Sequence, residues 1–205
     1  PYFRPSTLYR MARSKAYLFA GVEIRWRCDP ALLANDDPVP AEAVLHYPGG
    51  LSDYLNDATA DTALLVSTPF ADLVELDGQK FEWAITWLGA GEDGFFHSYC
   101  NTVPTPSGGT HEAGFRQAIT RALRSFGDLS GNRKAADITA DDVFAGTAVM
   151  LSVFLRDPQF QGQTKDRLVS ADATRQTEQA ARDRFEQWLA ADAARANFLL
   201  DAAIE

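Results

Sequence analysis

Large apolar side chains alternate with smaller or polar ones along residues 81–88, a pattern that predicts a β-strand with one heavily buried face. The apolar positions are Phe81, Trp83, Ile85 and Trp87. A second strand-like run, 70–76, ends at Asp77-Gly78, two residue types that tolerate the positive φ angles of a tight hairpin turn. The two runs are therefore predicted to pair as a hairpin that packs its aromatic face on helices.

A period of three to four residues replaces the alternation after Gly108-Gly109-Thr110-His111 and predicts a helix of about four turns. Its apolar positions are Phe115, Ala118, Ile119, Ala122, Leu123 and Phe126, and its basic arc contains Arg116, Arg121 and Arg124. Good helix formers also dominate from residue 173 to the end of the chain, with an interruption at Asp192. The helix that follows Gly108-Gly109 is thus apolar on one side and basic on the other.

The remaining pattern predicts a helix over 6–18, an alternating strand over 22–28, a proline-rich loop over 29–40 and a short helix over 51–55. Further strand-like segments are 63–67, 95–103 and 149–155. We therefore predict an α+β fold in which a mixed sheet has helices on one face and a helical tail at the C-terminal end.

Composition narrows the function classes. Nineteen Lys and Arg residues oppose 28 Asp and Glu residues, a formal charge of −9 that disfavours simple coating of DNA. The apolar runs are too short to span a membrane and no export signal opens the chain, so we expect a cytoplasmic protein with no membrane partner. Cys28 and Cys100 lie far apart and outside any metal-binding spacing, which predicts two reduced thiols and no metal site.

Most motifs with chemical potential have a plain structural interpretation. The glycine-rich segment 89–94 joins two strands rather than opening a helix, so we interpret it as a hairpin loop. The histidines have no metal-ligand spacing, and Asp141 and Asp142 suit the start of a short helix through its dipole. No serine lies in a nucleophile-elbow motif.

The polar loop 161–168 contains Gln163-Thr164-Lys165 and leaves two interpretations open. A lysine on such a loop is a mobile point charge with three donors, suited to a terminal phosphate, and a nearby amide can share the same oxygens. Spacing alone favours a solvated lysine. The arginine arc of the long helix is similarly either a solvated face or a phosphate-contacting one.

Three collinear motifs resemble the transducer domain of the ATPase subunit of bacterial type IIA topoisomerases. They are His46-Tyr47-x-Gly49-Gly50-Leu51, Gly108-Gly109-Thr110-His111 through Phe115-Arg116, and Asp157-Pro158-x-Phe160-x-Gly162-Gln163-Thr164-Lys165-Asp166-Arg167-Leu168. Together they span about 120 residues in the family's order. Ser98-Tyr99-x-Asn101 with Pro104-Thr105, and the tail around Trp188-Leu189, look more like the topoisomerase IV branch than the gyrase branch.

This resemblance implies a fold like the second domain of ribosomal protein S5. It also implies that Gln163 and Lys165 reach ATP in a neighbouring domain, with Lys165 acting catalytically on the γ-phosphate and Mg²⁺ held by that other domain. Arg116, Arg121 and Arg124 would face a DNA duplex inside a dimer of ATPase subunits that works with the DNA-cleaving A subunit.

The resemblance further divides the chain. Residues 1–28 would be the last helix and strand of the ATP-binding domain, 29–40 a linker, 41–170 the transducer core and 171–205 the C-terminal helices. The adenine pocket and the DNA-cleavage domain are not recognisable, so we expect the chain alone neither to hydrolyse ATP nor to cut DNA. The alternatives are the same domain of gyrase B, or a non-enzymatic interaction or dimerisation module of the same fold.

Overall fold

A computed structural model describes residues 3–33 and 38–205 and divides the chain into two compact units, Pro1–Ala60 and Asp61–Glu205. The first unit contains helix α1 (Pro5–Leu18), strand β1 (Glu23–Arg27), strand β2 (Glu42–His46) and helix α2 (Leu51–Ala58). Strands β1 and β2 pair antiparallel, with Ile24 opposite Leu45. Strand β2 follows the predicted linker and completes a sheet begun by β1. The predicted division at residues 28, 40 and 170 concerns functional parts of the chain and stays a prediction.

The predicted linker, 29–40, is only partly described. A short 3-10 helix covers Pro30–Leu32, and the Asp29 carboxylate caps it by accepting a hydrogen bond from the Ala31 N–H at 2.9 Å. Residues 34–37 lie outside the described part of the chain. The first residues of the predicted linker thus form a capped turn.

A five-stranded mixed sheet forms the centre of the second unit. Its strands are β3 (Phe70–Leu76), β4 (Gln79–Trp87), β5 (Phe95–Cys100), β6 (Val103–Pro104) and β7 (Thr147–Phe154). Their spatial order is β3-β4-β7-β5-β6, with β7 antiparallel to β4 and parallel to β5. The mixed sheet is confirmed.

The strand order and one isolated bridge change the interpretation of two segments. Strand β7 lies between β4 and β5, so the segment 89–94 connects strands that do not pair, and its interpretation as a hairpin loop is wrong. The run 63–67 forms a single bridge, Leu64 to Leu88, rather than a strand. In both cases the pairing depends on residues far away in the sequence, which the local pattern of apolar and polar residues does not reveal.

Two tight turns shape the sheet edges. Asp77 and Gly78 have φ angles of 53° and 71°, which confirms the predicted hairpin. Asn101 and Thr102, at 49° and 66°, form a second turn that divides the predicted strand 95–103 into β5 and β6. The Asn101 side chain also exchanges hydrogen bonds with the backbone of Leu155, at 2.8 and 3.0 Å, and so holds the end of β7.

The helices of the second unit pack on one face of the sheet. They are α3 (Thr110–Leu129), α4 (Ala140–Phe144), α5 (Ala171–Ala190) and α6 (Ala193–Ile204). Phe81, Trp83 and Ile85 of β4 are buried together with Phe115 of α3 and Phe185 of α5. Each such side chain contributes roughly 1.5–3 kcal/mol of burial free energy, so the aromatic face of β4 anchors the core. Asp192 caps α6 and causes the predicted interruption.

Several side chains have the structural roles expected of them. Asp142 and Thr139 form a capping box at the start of α4, and the Thr139 hydrogen bonds lower the pKa of the Asp142 carboxyl. Cys28 and Cys100 are free thiols, and burial raises the pKa of Cys100 to about 12.

Within the described residues, no helix is long and apolar enough to cross a membrane, and no group of three or more metal-ligating side chains assembles.

Gly114 allows helices α3 and α5 to pack closely, and its replacement by alanine is predicted to destabilise the fold. A Cβ at this position would overlap the Thr174 carbonyl oxygen of α5. The clash should outweigh the gain in helix propensity of about 1 kcal/mol and lower the free energy of unfolding by about 2 kcal/mol. Urea denaturation would measure this. Gln117→Ala, at an exposed position of α3, is the matched control and should change it little.

Candidate functional site

The Gln163–Lys165 segment lies at the tip of a short hairpin rather than in a plain polar loop. Strands β8 (Phe160–Gln161) and β9 (Arg167–Leu168) pair antiparallel, and residues 162–166 connect them. Gln163 and Lys165 are exposed. The structure therefore brings together the two residues that the sequence assigns to the nucleotide and presents both to solvent.

The segment just before helix α3 holds the base of this hairpin. The Leu168 N–H donates to the Gly108 carbonyl at 3.1 Å, and the Ser107 N–H donates to the Asp166 carbonyl at 3.0 Å. The Arg167 guanidinium donates to the Ser107 carbonyl at 3.2 Å. Two strands of two residues each are marginal alone, so these bonds fix where the hairpin lies.

Close backbone approach explains the glycine at position 109. Gly109 has a φ of 142° and forms a parallel bridge with Leu168. A Cβ there would overlap the Leu168 carbonyl oxygen. The Gly108-Gly109 pair that opens α3 is therefore also the surface on which the hairpin is mounted.

The other end of the hairpin is tied to helix α5. The Val169 N–H donates to the Gln159 carbonyl at 2.8 Å, and the Gln159 N–H donates to the Ser170 hydroxyl, also at 2.8 Å. Ser170 is the N-cap residue of α5. The hairpin is thus connected through short hydrogen bonds to the first turns of both long helices.

Lys165 carries a charge that the described residues do not neutralise. Within residues 3–33 and 38–205, no carboxylate lies within ion-pair distance of its ammonium group, which instead lies 5.7 Å from the centre of the Phe160 ring. Its φ of 59° is unusual for a side chain other than glycine. An ammonium at a protruding tip suits an external anion such as a terminal phosphate.

A buried polar chain lies behind the mounting segment. His111 is 0% exposed, and its Nε2 lies 3.0 Å from the Thr105 hydroxyl, which lies 2.7 Å from the Ser98 hydroxyl. Burial lowers the pKa of His111 to about 4, so the ring is neutral at pH 7. Its Nδ1 has no hydrogen-bond partner among the described residues. A structural histidine is what the sequence predicted.

Arg116 is held within its own domain. Its guanidinium lies 4.7 Å from the ring centre of Phe144 and 5.3 Å from that of Phe96. It also forms ion pairs with Glu112 at 3.3 Å and Asp141 at 3.8 Å. Because two carboxylates share its charge, Arg116 adds little net positive potential to this surface.

Arg121 and Arg124 contact different neighbours. Arg121 pairs with Glu178 of α5 and keeps a half-exposed side chain. Arg124 donates both Nε and Nη2 to the Ile138 carbonyl, which braces the loop before α4. The three predicted DNA-facing arginines therefore have separate structural contacts, and their contact with DNA stays a prediction.

Sequence reasoning did not assign roles to Ser107, Arg167 or Phe160. The first two hold the hairpin and the third lies against the lysine. Their only sequence signal is position: Phe160 and Arg167 flank the Gln-Thr-Lys segment, whereas Ser107 lies more than 50 residues before it. A contact between segments so far apart is not visible in local spacing.

The fold defines the class of this protein. The structure superposes on the 43K ATPase domain of Thermus thermophilus gyrase B, solved with an aminocoumarin, with a TM-score of 0.80 and 26% identity over 99% of this chain and 53% of that one. It also superposes on the topoisomerase IV ATP-binding domain of Francisella tularensis, with a TM-score of 0.78, 24% identity, and 99% and 53% coverage. The α+β fold is thus the one found in the ATPase region of type II topoisomerases.

The particular family follows from the sequence. Residues 50–205 match the DNA gyrase B family, and the chain belongs to that family. Its relatives include the B subunit of DNA topoisomerase 4 from Caulobacter vibrioides, 49% identical over 99% of this chain, and that from Bartonella bacilliformis, 48% identical over 99%. The chain spans 30% and 29% of the length of these two relatives. The resemblance to type IIA topoisomerase ATPase subunits is confirmed.

Gly109→Ala is predicted to weaken the backbone contact that holds the hairpin against the segment before α3. The new Cβ would overlap the Leu168 carbonyl, so hydrogen exchange of the amides in 166–169 should accelerate on the order of 10-fold. Exchange followed by mass spectrometry would measure it. Gly162→Ala is the matched control, because Gly162 also has a positive φ, 72°, but its Cβ would meet nothing within 4 Å. Equal acceleration in both variants would contradict the mounting role of Gly109.

His111 should make stability depend on pH. The native state disfavours the imidazolium, so the pKa of about 4 lies below the ordinary value of 6.5. This contribution is fully present above pH 6.5 and is lost as the pH falls towards 4. The free energy of unfolding should decline by about 2 kcal/mol from this group between pH 7.5 and pH 5.

Urea denaturation across this pH range would measure that decline. His111→Gln, which cannot titrate, is the control for the carboxylates, and its unfolding free energy should fall less over the same range. Parallel curves for the two proteins would show that His111 does not contribute.

Proposed function

We propose that this chain is the transducer part of an ATP-dependent type II DNA topoisomerase, the topoisomerase IV B subunit, and couples ATP binding and hydrolysis to DNA strand passage, relaxation and decatenation. The observation that carries the proposal is the Lys165 ammonium, which no described carboxylate neutralises, at the tip of a braced hairpin. Membership of the DNA gyrase B family and the topoisomerase 4 relatives support it.

In this proposal Lys165 acts on the γ-phosphate of ATP and Gln163 shares the same oxygens. Negative charge on the transferred phosphoryl group is offset by a positioned ammonium, and such charges lower the barrier to transfer. Mg²⁺ would supply further charge neutralisation and would be held by the ATP-binding domain, of which residues 1–28 would be the last helix and strand. Residues 41–170 would form the transducer core and 171–205 its C-terminal helices.

The bracing of the hairpin suggests how nucleotide state changes domain position. The γ-phosphate would attract Lys165 and hold the hairpin, and its loss after hydrolysis would release it. Because the hairpin base is bonded to the segment before α3 and to the N-cap of α5, a displacement of the tip is transmitted to both helices.

DNA, the topoisomerase IV A subunit and a second copy of the ATPase subunit are the partners we propose, in the cytoplasm. Arg116, Arg121 and Arg124 would face the duplex. Their ion pairs with Glu112, Asp141 and Glu178 limit their net charge, which is compatible with the weak, non-specific contact that strand passage needs. The overall charge of −9 is then no obstacle, since only the lining requires arginines.

Lys165→Ala in the complete ATPase subunit, assayed with its A subunit, should reduce ATP turnover and supercoil relaxation on the order of 10² to 10³-fold, because one positioned charge on the transferred phosphate is removed. Coupled ATPase assays and gel-based relaxation would measure both. The melting temperature should stay close to that of the parent, since the side chain is exposed.

Lys134→Ala is the matched control for this experiment, because Lys134 is also an exposed lysine of the second unit but lies far from the hairpin in sequence. It should leave turnover unchanged. Normal turnover and relaxation in the Lys165 variant would instead favour an interaction or dimerisation module in which the lysine is merely solvated.

A further inference from the structure

Among the described residues, the hydrogen bonds that hold the hairpin lie at its base. Residues 163–165 are exposed, and the paired strands contain only two residues each. The location of the Lys165 ammonium therefore depends on the segment 105–109, which supplies hydrogen-bonding partners to Asp166, Arg167 and Leu168. A small rotation of that segment would move the ammonium by a larger distance, because the ammonium lies at the far end of the hairpin.

The mounting segment has little regular structure of its own. It contains two glycines with positive φ, Gly108 at 66° and Gly109 at 142°, and glycines lose the most conformational freedom on ordering. Its backbone is held by the Thr105 N–H to the Ser98 carbonyl at 2.9 Å and by the Gly108 N–H to the Thr105 carbonyl at 2.8 Å. Thr105 is thus the residue through which the segment joins the sheet.

The side chain of Thr105 links strand β5 to helix α3. Its hydroxyl lies between the Ser98 hydroxyl of β5, at 2.7 Å, and Nε2 of His111 in α3, at 3.0 Å. All three residues are at most 5% exposed. Water competes little with hydrogen bonds at such a site, so these bonds restrain the segment more than a surface contact would.

The direction of the protons follows from which groups lack partners. The Nδ1 atom of His111 has no hydrogen-bond partner among the described residues. A buried acceptor without a partner is tolerated better than a buried donor without one, so the neutral ring carries its proton on Nε2. His111 then donates to Thr105, Thr105 donates to Ser98, and Ser98 donates to the Thr105 carbonyl at 3.2 Å. Each of these three side chains then has its donor satisfied.

We infer that Thr105 and His111 are positioning residues for Lys165: they fix the segment that holds the hairpin and act on ATP turnover only through that lysine. The inference rests on the proposed function of Lys165. It assigns a functional reason for the threonine and the histidine that precede and open α3, beyond their place in the core.

The test compares Thr105→Val, which keeps the shape and removes the hydroxyl, with Thr105→Ser, which keeps the hydroxyl. In the complete ATPase subunit, Thr105→Val should accelerate hydrogen exchange of the hairpin amides about 10-fold and reduce ATP turnover by about 10- to 100-fold. Thr105→Ser should stay close to the parent in both. His111→Leu, which removes the side-chain donor, and His111→Gln, which keeps one, form a second pair at the other end of the hydrogen-bonded chain. The result therefore does not depend on the folding of one variant.

A double-mutant cycle separates positioning from general stability. In the Lys165→Ala background, Thr105→Val should cause no further loss of turnover, because the group that it positions is already gone. An equal loss in both backgrounds would overturn the inference, as would unchanged hairpin exchange in Thr105→Val.

The same variants distinguish failure of the proposed function from failure of the positioning role. If Lys165→Ala retains full turnover, the proposed function fails, and the exchange data alone decide whether Thr105 and His111 hold the hairpin. If Lys165→Ala is inactive but Thr105→Val is fully active, the function stands and the positioning role is wrong.

Discussion

The backbone contact between Gly108-Gly109 and Leu168 is the constraint on which the proposed site depends. It brings together two chain segments almost 60 residues apart and leaves no room for a Cβ at Gly109. With this contact in place, a hairpin too short to be stable alone becomes a fixed projection that carries Lys165. The same glycine pair directly precedes α3, so the hairpin is held at the point where a long core helix begins.

The sheet and helices of the second unit restrain the position of the Gly108-Gly109 segment. Strand β7 inserts between β4 and β5, and the aromatic face of β4 packs on α3 and α5. The hairpin follows β7 and precedes α5, so the sheet fixes one of its ends and a helix the other. A dense core transmits a displacement rather than absorbing it, because its side chains have few alternative packings. This architecture is compatible with the proposed coupling, in which nucleotide binding at the hairpin displaces the helices.

Charge is distributed differently at the two candidate surfaces. Lys165 has no carboxylate partner within the part of the chain that the structure describes, whereas Arg116 and Arg121 are paired with acids and Arg124 is bonded to a backbone carbonyl. An unpaired charge attracts one specific anion strongly, while paired charges give a weak and diffuse attraction. The proposed function requires tight contact with a single phosphate and loose contact with a duplex, and this distribution of ion pairs is compatible with it.

The sequence by itself determined several of the long elements and the family. Alternation identified β4, helical periodicity identified α3, and Asp77-Gly78 identified the turn between β3 and β4, because these signals arise from neighbouring residues. Three collinear motifs, which include Gly49-Gly50, Gly108-Gly109 and Gln163-Thr164-Lys165, identified the family, and the site assigned to Gln163 and Lys165 stays a prediction. Tertiary structure alone decided that β7 separates β4 from β5, that the Asn101 side chain bonds the backbone of Leu155 at the end of β7, and that the hairpin is held against Gly108. These are pairings between distant segments, and their partners are selected by the packing of the whole core, which no local spacing records.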